Sequence, residues 1–134
     1  MQNQLMTFQK MELGYSDCTE SLVLQKLKKI NFENEVVFVA KYKKKVIGFV
    51  HAQIYDVLYY ESMVNILGFA VDSKFTKNGI GKSLMAKVEE WTKSKNIKLI
   101  RLNSGGTRTQ AHNFYRNIGF FEEKTQLRFM KSLL

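Results

Sequence analysis

The chain has 134 residues, 45% hydrophobic and 25% charged, ordinary globular values that suit one domain and leave no room for two. Its formal charge of +9 favours anionic partners such as phosphorylated cofactors, acidic substrates or nucleic acid. A solvated lysine surface explains the charge equally well, because the clusters Lys26, Lys28, Lys29 and Lys41, Lys43 to Lys45 carry no aromatic nucleic-acid box. Cys18 stands alone, which excludes a disulfide framework and a Cys–His metal site, so no metal is expected. There is neither an apolar signal core nor a run of membrane-spanning length. The expected location is the cytoplasm, with no membrane partner.

In chain order, Leu5 to Leu13 is a weakly patterned first strand. Asp17 or Thr19 caps a helix running to about Ile30, with Leu22, Leu24, Leu27 and Ile30 as its apolar stripe. Val36 to Tyr42 and Lys45 to Tyr55 are β-branched and aromatic runs joined by a short lysine turn, which predicts a hairpin. In the second run Val46, Gly48, Val50, Ala52 and Ile54 face one way and Ile47, Phe49, His51, Gln53 and Tyr55 the other. Both sets are largely apolar, so this strand is expected to be central and covered on both sides. Met63 to Val71 is the next strand.

A glycine turn follows, and then a helix with Ile80, Leu84, Val88 and Trp91 on one face and a Glu89–Lys93 pair on the other. Lys98 to Asn103 is a further strand. Thr107 to Gln110 fits a capping box before the stripe Ala111, Phe114, Tyr115, Ile118, and Gly119 is placed to stop that helix. Phe120 to Phe121 and Gln126 to Lys131 close the chain as strands. This order predicts a mixed sheet with helices on both faces.

The turn carries the strongest chemical signal. A strand, a Gly79-Ile80-Gly81 turn and a helix N-terminus make an anion site, since the first helical N–H groups lack internal partners and sit at the positive end of the dipole. The glycines let the backbone approach a ligand, and Lys77 and Lys82 flank them. It is not a P-loop, because Lys77 stands where the first glycine belongs. Nor is it the dinucleotide fingerprint, because Leu84 replaces the third glycine and Leu99 to Asn103 offers no acidic residue.

The chain resembles the GNAT superfamily of acetyl-coenzyme A-dependent N-acetyltransferases in two blocks, in the right order and separation. Thr76-Lys77-Asn78-Gly79-Ile80-Gly81 after Phe69-Ala70-Val71 is similar to the family's Arg/Gln-x-x-Gly-x-Gly/Ala turn. Ala111-His112-Asn113-Phe114-Tyr115-Arg116-Asn117-Ile118-Gly119-Phe120 is similar to its Ala-x-x-Phe/Leu-Tyr-x-x-x-Gly-Phe helix. The resemblance covers about Val36 to Phe121. It implies a single 1–134 domain with a mixed, mostly antiparallel sheet of about six or seven strands and helices on both faces. Thr76 departs from the family's Arg or Gln, and the region before Val36 is compressed.

The resemblance implies acetyl-CoA as cofactor. Backbone groups of Phe69, Ala70 and Val71 meet the pantetheine arm, Gly68 eases a strand bulge, and Lys77, Asn78, Gly79, Ile80, Gly81, Lys82 and Ser83 wrap the pyrophosphate. Asn103 and Arg108 are further cofactor contacts; a strand-end asparagine and a solvated first-turn arginine are their rival readings. Tyr115 matches the tyrosine that protonates the departing thiolate. The usual proton acceptor is missing, because many relatives of the resembled family carry glutamate where this chain has Leu67. Glu61, acting through water, is the first substitute, with Asp56 and His51 as alternatives. His112 lies one residue beyond Ala111 and is expected to face solvent or a strand.

The expected activity is acetyl transfer to a primary amine of a small molecule or peptide, by direct attack in a ternary complex. A non-catalytic acyl-CoA-binding or regulatory module is the alternative, and a basic nucleic-acid-binding domain a third. A homodimer is a family expectation.

Overall fold

A computed structural model describes residues 19–134, so the expected Leu5 to Leu13 strand, the Asp17 cap and Cys18 lie outside the described residues. Thr19 is the N-cap of helix α1 (Glu20–Lys29), its hydroxyl accepting from the Leu22 N–H at 3.1 Å. The expected apolar stripe needs correction. Val23 is buried and Leu27 and Ile30 are half-buried, whereas Leu22 and Leu24 are exposed. Positions i, i+4 and i+7 from Val23 share one helical face, and the two leucines flank it.

Strands β1 (Glu35–Tyr42) and β2 (Lys45–Val57) form the expected hairpin. Its two turn residues, Lys43 and Lys44, both lie in the left-handed region, at φ 50° and 67°. That is the backbone of a primed turn, whose twist matches the strands and which normally takes Asn-Gly. The Lys43 ammonium lies over the Tyr42 ring at 5.3 Å, a contact that offsets part of the strain. Among the described residues Lys44 has no such contact. Lys44→Gly is therefore expected to raise stability by up to about 1 kcal/mol, relief of left-handed strain exceeding the added unfolded-chain entropy. Thermal melting checks this, and a lowered midpoint would show that the turn is not strained.

β2 pairs antiparallel with β3 (Tyr60–Val71), and β3 pairs parallel with β4 (Ile100–Leu102), giving the order β1-β2-β3-β4 among the described residues. β3 starts at Tyr60, earlier than the expected Met63, because Val57 already pairs with Tyr60 across the hairpin. β4 is shorter than expected. The Lys95–Ile97 segment finishes the preceding helix, with Asn96 left-handed at φ 57° and the Ile97 N–H on the Thr92 carbonyl at 3.2 Å.

Helix α2 (Ile80–Ser94) covers the sheet face that carries Gly48, Val50, Ala52, Val64 and Ile66. Leu84, Met85 and Val88 are its buried contribution; Val50, Val64 and Val88 are essentially inaccessible, each burial stabilising by about 1.5–3 kcal/mol. Gly48 permits the approach, since a Cβ there would meet Leu84 and the Ala70 carbonyl at 3.2 Å. On the other face Val23 and Leu27 of α1 pack with Val39, Val46, Phe49 and Ala70. β2 is thus central and covered on both sides, as its two apolar faces predict. The expected Glu89–Lys93 pair gives way to Lys87–Glu90, at 3.7 Å and three residues apart on the same exposed surface.

Among the described residues, those up to Asn103 and those from Ser104 to Leu134 are two separate units. In the second, helix α3 (Thr109–Asn117) begins at Arg108 without a side-chain cap. The expected capping box fails because Thr107 is held in a turn, with the Arg108 N–H on the Gly105 carbonyl at 3.1 Å. Gly119 does end the helix, at φ 104°, with its N–H on Arg116 and that of Phe120 on Tyr115. The expected strands at Phe120 to Phe121 and Gln126 to Lys131 are absent. Their backbone enters no ladder among the described residues, and Phe121, Leu127, Phe129 and Met130 are exposed.

Candidate active site

Two irregularities in β3 shape the site. His51 pairs with Gly68 but Ala52 pairs with Ile66, so Leu67 is an extra residue, a β-bulge. Gly68 suits the bend, because a Cβ there would press on the Phe49 ring at 3.2 Å. The ladder to β4 also stops at Ile66–Leu102, while the ladder to β2 continues to Val71. Phe69, Ala70 and Val71 therefore form a strand end that outruns β4 and leads directly into the glycine turn.

That turn is built from short-range bonds. The Asp72 N–H donates to the Ile47 carbonyl at 2.7 Å, closing the sheet, and the Asp72 carboxylate accepts from the Lys74 N–H at 3.0 Å. A single helical turn (Ser73–Phe75) follows, its Phe75 ring 5.5 Å from Tyr42. The Thr76 hydroxyl donates back to the Ser73 carbonyl at 3.2 Å. Gly79 is then the N-cap of α2 in the left-handed conformation, at φ 75° and without a side-chain cap.

The first intrahelical bond runs from the Ser83 N–H to the Gly79 carbonyl at 3.0 Å, so the N–H groups of Ile80, Gly81 and Lys82 precede the helical ladder. The first turn holds no acidic residue, Lys77 and Lys82 are exposed, and neither enters an ion pair among the described residues. Donors and dipole meet at the start of α2, with Lys77 and Lys82 beside them in the chain, which suits a pyrophosphate.

The proton-acceptor candidates are spread out. His51, opposite Gly68, bonds through Nε2 to Glu35 at 2.9 Å, both half-buried. Glu61 lies six positions before Leu67, roughly 20 Å along the strand at about 3.3 Å per residue. It is exposed and lines a cleft of about 540 Å³ with Ser62, Lys95 and Lys98, at the far end of α2. Asp56 is exposed and accepts from the Ser62 hydroxyl. The structure thus brings His51 to the bulge and leaves Glu61 and Asp56 away from it.

Asn103, just past β4, accepts from the Arg101 guanidinium at 3.3 Å. Within the second unit, His112 bonds the Gly105 carbonyl at 2.9 Å, and Arg108 is exposed at the start of α3. Tyr115 is half-buried, edge-on to Phe114 at 5.7 Å and Phe120 at 5.8 Å. Burial raises its phenol above the usual value of 10.0, and the nearby Arg108 charge pulls partly the other way. Glu35, Asn65 and Arg101 were not singled out from sequence. The available signal was polar residues at alternating positions within otherwise apolar strands.

The sequence matches the profile of the Acetyltransferase (GNAT) family over residues 4–120. The chain belongs to this family. Human N-acetylaspartate synthetase is 31% identical over 83 residues, which are 62% of this chain and 26% of that protein. The rat protein is 30% identical over the same share of this chain, so the chain spans about a quarter of the curated relatives it matches.

Among solved structures, the aminoglycoside acetyltransferase AAC(6')-Iy, bound to a CoA bisubstrate analogue, superposes with TM-score 0.84 at 20% identity. The alignment covers 98% of this chain and 91% of that one. A metagenomic soil aminoglycoside acetyltransferase, meta-AAC0020, gives 0.79 at 25% identity, covering 99% and 87%. A transcriptional regulator from Bacillus halodurans C-125 gives 0.84 at 21%, covering 97% and 93%. Together these place the chain in the GNAT fold. No described helix is long and apolar enough to cross a membrane.

Proposed function

We propose that the chain is an acetyl-CoA-dependent N-acetyltransferase, one domain over 1–134, acting on a primary amine by direct attack in a ternary complex. The observation that carries this reading is the glycine-capped, donor-rich start of α2 directly after a strand that outruns its parallel neighbour. Similar solved structures hold CoA or a CoA-derived analogue, and the human and rat relatives are N-acetylaspartate synthetases.

When bound, acetyl-CoA supplies an activated thioester. The N–H groups from Asn78 to Ser83, with Lys77 and Lys82, hold its pyrophosphate. Phe69, Ala70 and Val71 offer backbone groups to its arm, and Asn103 and Arg108 add polar contacts. His51, oriented by Glu35, accepts the proton of the attacking amine in place of the family glutamate replaced by Leu67. Tyr115, protonated at neutral pH, donates to the thiolate. His51 displaces Glu61 from this role because it lies beside the bulge. Leu67 also favours a second reading, a module that binds acyl-CoA without turning it over.

Acetyl-CoA is expected to raise the thermal midpoint of the purified protein, and thiol release with a panel of amines then separates enzyme from sensor. His51→Gln should lower release while keeping the acetyl-CoA shift. Absence of any shift at saturating acetyl-CoA would sink both readings.

A further inference from the structure

We propose that the acceptor amine also bears a carboxylate, and that Arg101 of β4 holds it; this rests on reading the chain as an acetyltransferase. The sheet face turned away from α2 divides into two halves. At one end it is apolar and packed by α1 through Val23 and Leu27. At the other end the register lines up Glu35 on β1, His51, Gln53 and Tyr55 on β2, Asn65 on β3 and Arg101 on β4. This polar half adjoins the Leu67 bulge.

Arg101 is half-buried there and held in place. Its guanidinium donates to Asn65 at 2.8 Å and to Asn103 at 3.3 Å, and it lies over the Tyr55 ring at 4.7 Å. All three partners are neutral. Among the described residues no carboxylate lies within ion-pair distance of it, and the carboxylate of this face, Glu35, is committed to His51. Two of the five guanidinium donors are thus fixed on asparagines and the positive charge lacks a counter-ion, in a planar fork suited to a carboxylate.

The spacing suits a small molecule. Arg101 lies level with Gln53 through Asn65, two strands from β2, and His51 lies two residues further along β2. With strands about 4.8 Å apart and about 3.3 Å per residue, the two Cα atoms are about 12 Å apart. The Arg101 guanidinium reaches across β3 to the Tyr55 ring on β2, and the His51 imidazole turns toward Glu35 on β1, so both groups lie over one sheet face with a separation on the scale of a small molecule such as an amino acid. A polycation would instead meet an unshielded arginine on a chain of net charge +9.

The test uses matched amines: L-aspartate and β-alanine against L-aspartic diamide and propylamine, with spermidine and kanamycin as polycations. Carboxylate-bearing acceptors are expected to lead in kcat/KM by at least about tenfold. Arg101→Gln should raise their KM about 30-fold or more, change kcat little, leave the amide acceptors untouched and preserve acetyl-CoA-induced stabilisation. Arg101→Lys keeps the charge but loses the fork, and should recover part of the KM. Calorimetric titration of L-aspartate into the CoA-bound protein gives a readout independent of turnover, and this binding should disappear in Arg101→Gln.

Preference for the polycations, or equal loss on amide and carboxylate acceptors in both variants, would overturn the proposal and leave Arg101 a sheet-face brace. Acetyl-CoA stabilisation without thiol release for any amine would instead remove the transferase reading on which it stands.

Discussion

Gly79→Val is expected to abolish acetyl-CoA binding while the protein still folds. Gly79 sits at φ 75°, and no atom lies within 4 Å of a Cβ built on it. Among the described residues a Cβ there meets no neighbour, so the costs of a valine are left-handed strain and bulk projecting from the cap. The strain amounts to about 1–2 kcal/mol, enough to lower the melting midpoint by several degrees without unfolding the sheet. The bulk occupies the space from which a pyrophosphate meets the N–H groups of Ile80, Gly81 and Lys82. The acetyl-CoA dissociation constant should rise at least about 100-fold, equivalent to about 2.8 kcal/mol. Gly79→Ala should fall between. A folded Gly79→Val protein that binds acetyl-CoA normally would mean that the phosphates bind elsewhere.

Tyr115→Phe should cut kcat by about 10²- to 10⁴-fold, the usual range for a lost general acid, while the acetyl-CoA shift persists. The ring contacts with Phe114 and Phe120 survive the change. The pH dependence gives a separate check. Because burial raises this phenol in the folded state, the folded protein holds the proton more tightly than the unfolded chain. Its contribution to stability is therefore complete below about pH 10 and is lost as pH rises through the folded value. Tyr115→Phe removes that loss, so the variant should denature less steeply with alkali than the parent. Unchanged turnover across the amine panel would take Tyr115 out of the mechanism.

Residues with a local signature were legible in the sequence. The lysine hairpin, the central β2 with two apolar faces, the glycine turn and the Gly119 stop each depend on neighbours within a few positions. The α1 stripe was misread because Leu22, Val23 and Leu24 are all apolar, and only the sheet decides which one turns inward. The terminal strands failed for a related reason, since a strand exists only where a partner accepts its hydrogen bonds. The candidate site divides the same way. The glycine turn is contiguous and its backbone geometry was readable, whereas Glu35, Asn65 and Arg101 join His51 from three other strands. Their alignment depends on register, and the Leu67 bulge alters that register by one residue.

That bulge separates chemistry from architecture. Leu67 is 47% exposed and is paired in neither the β2 nor the β4 ladder, so its side chain answers to no packing constraint in the sheet. A residue there can change without disturbing the strands on either side. In the proposed mechanism the base then comes from a neighbouring strand, so the reactive group changes while the fold stays intact.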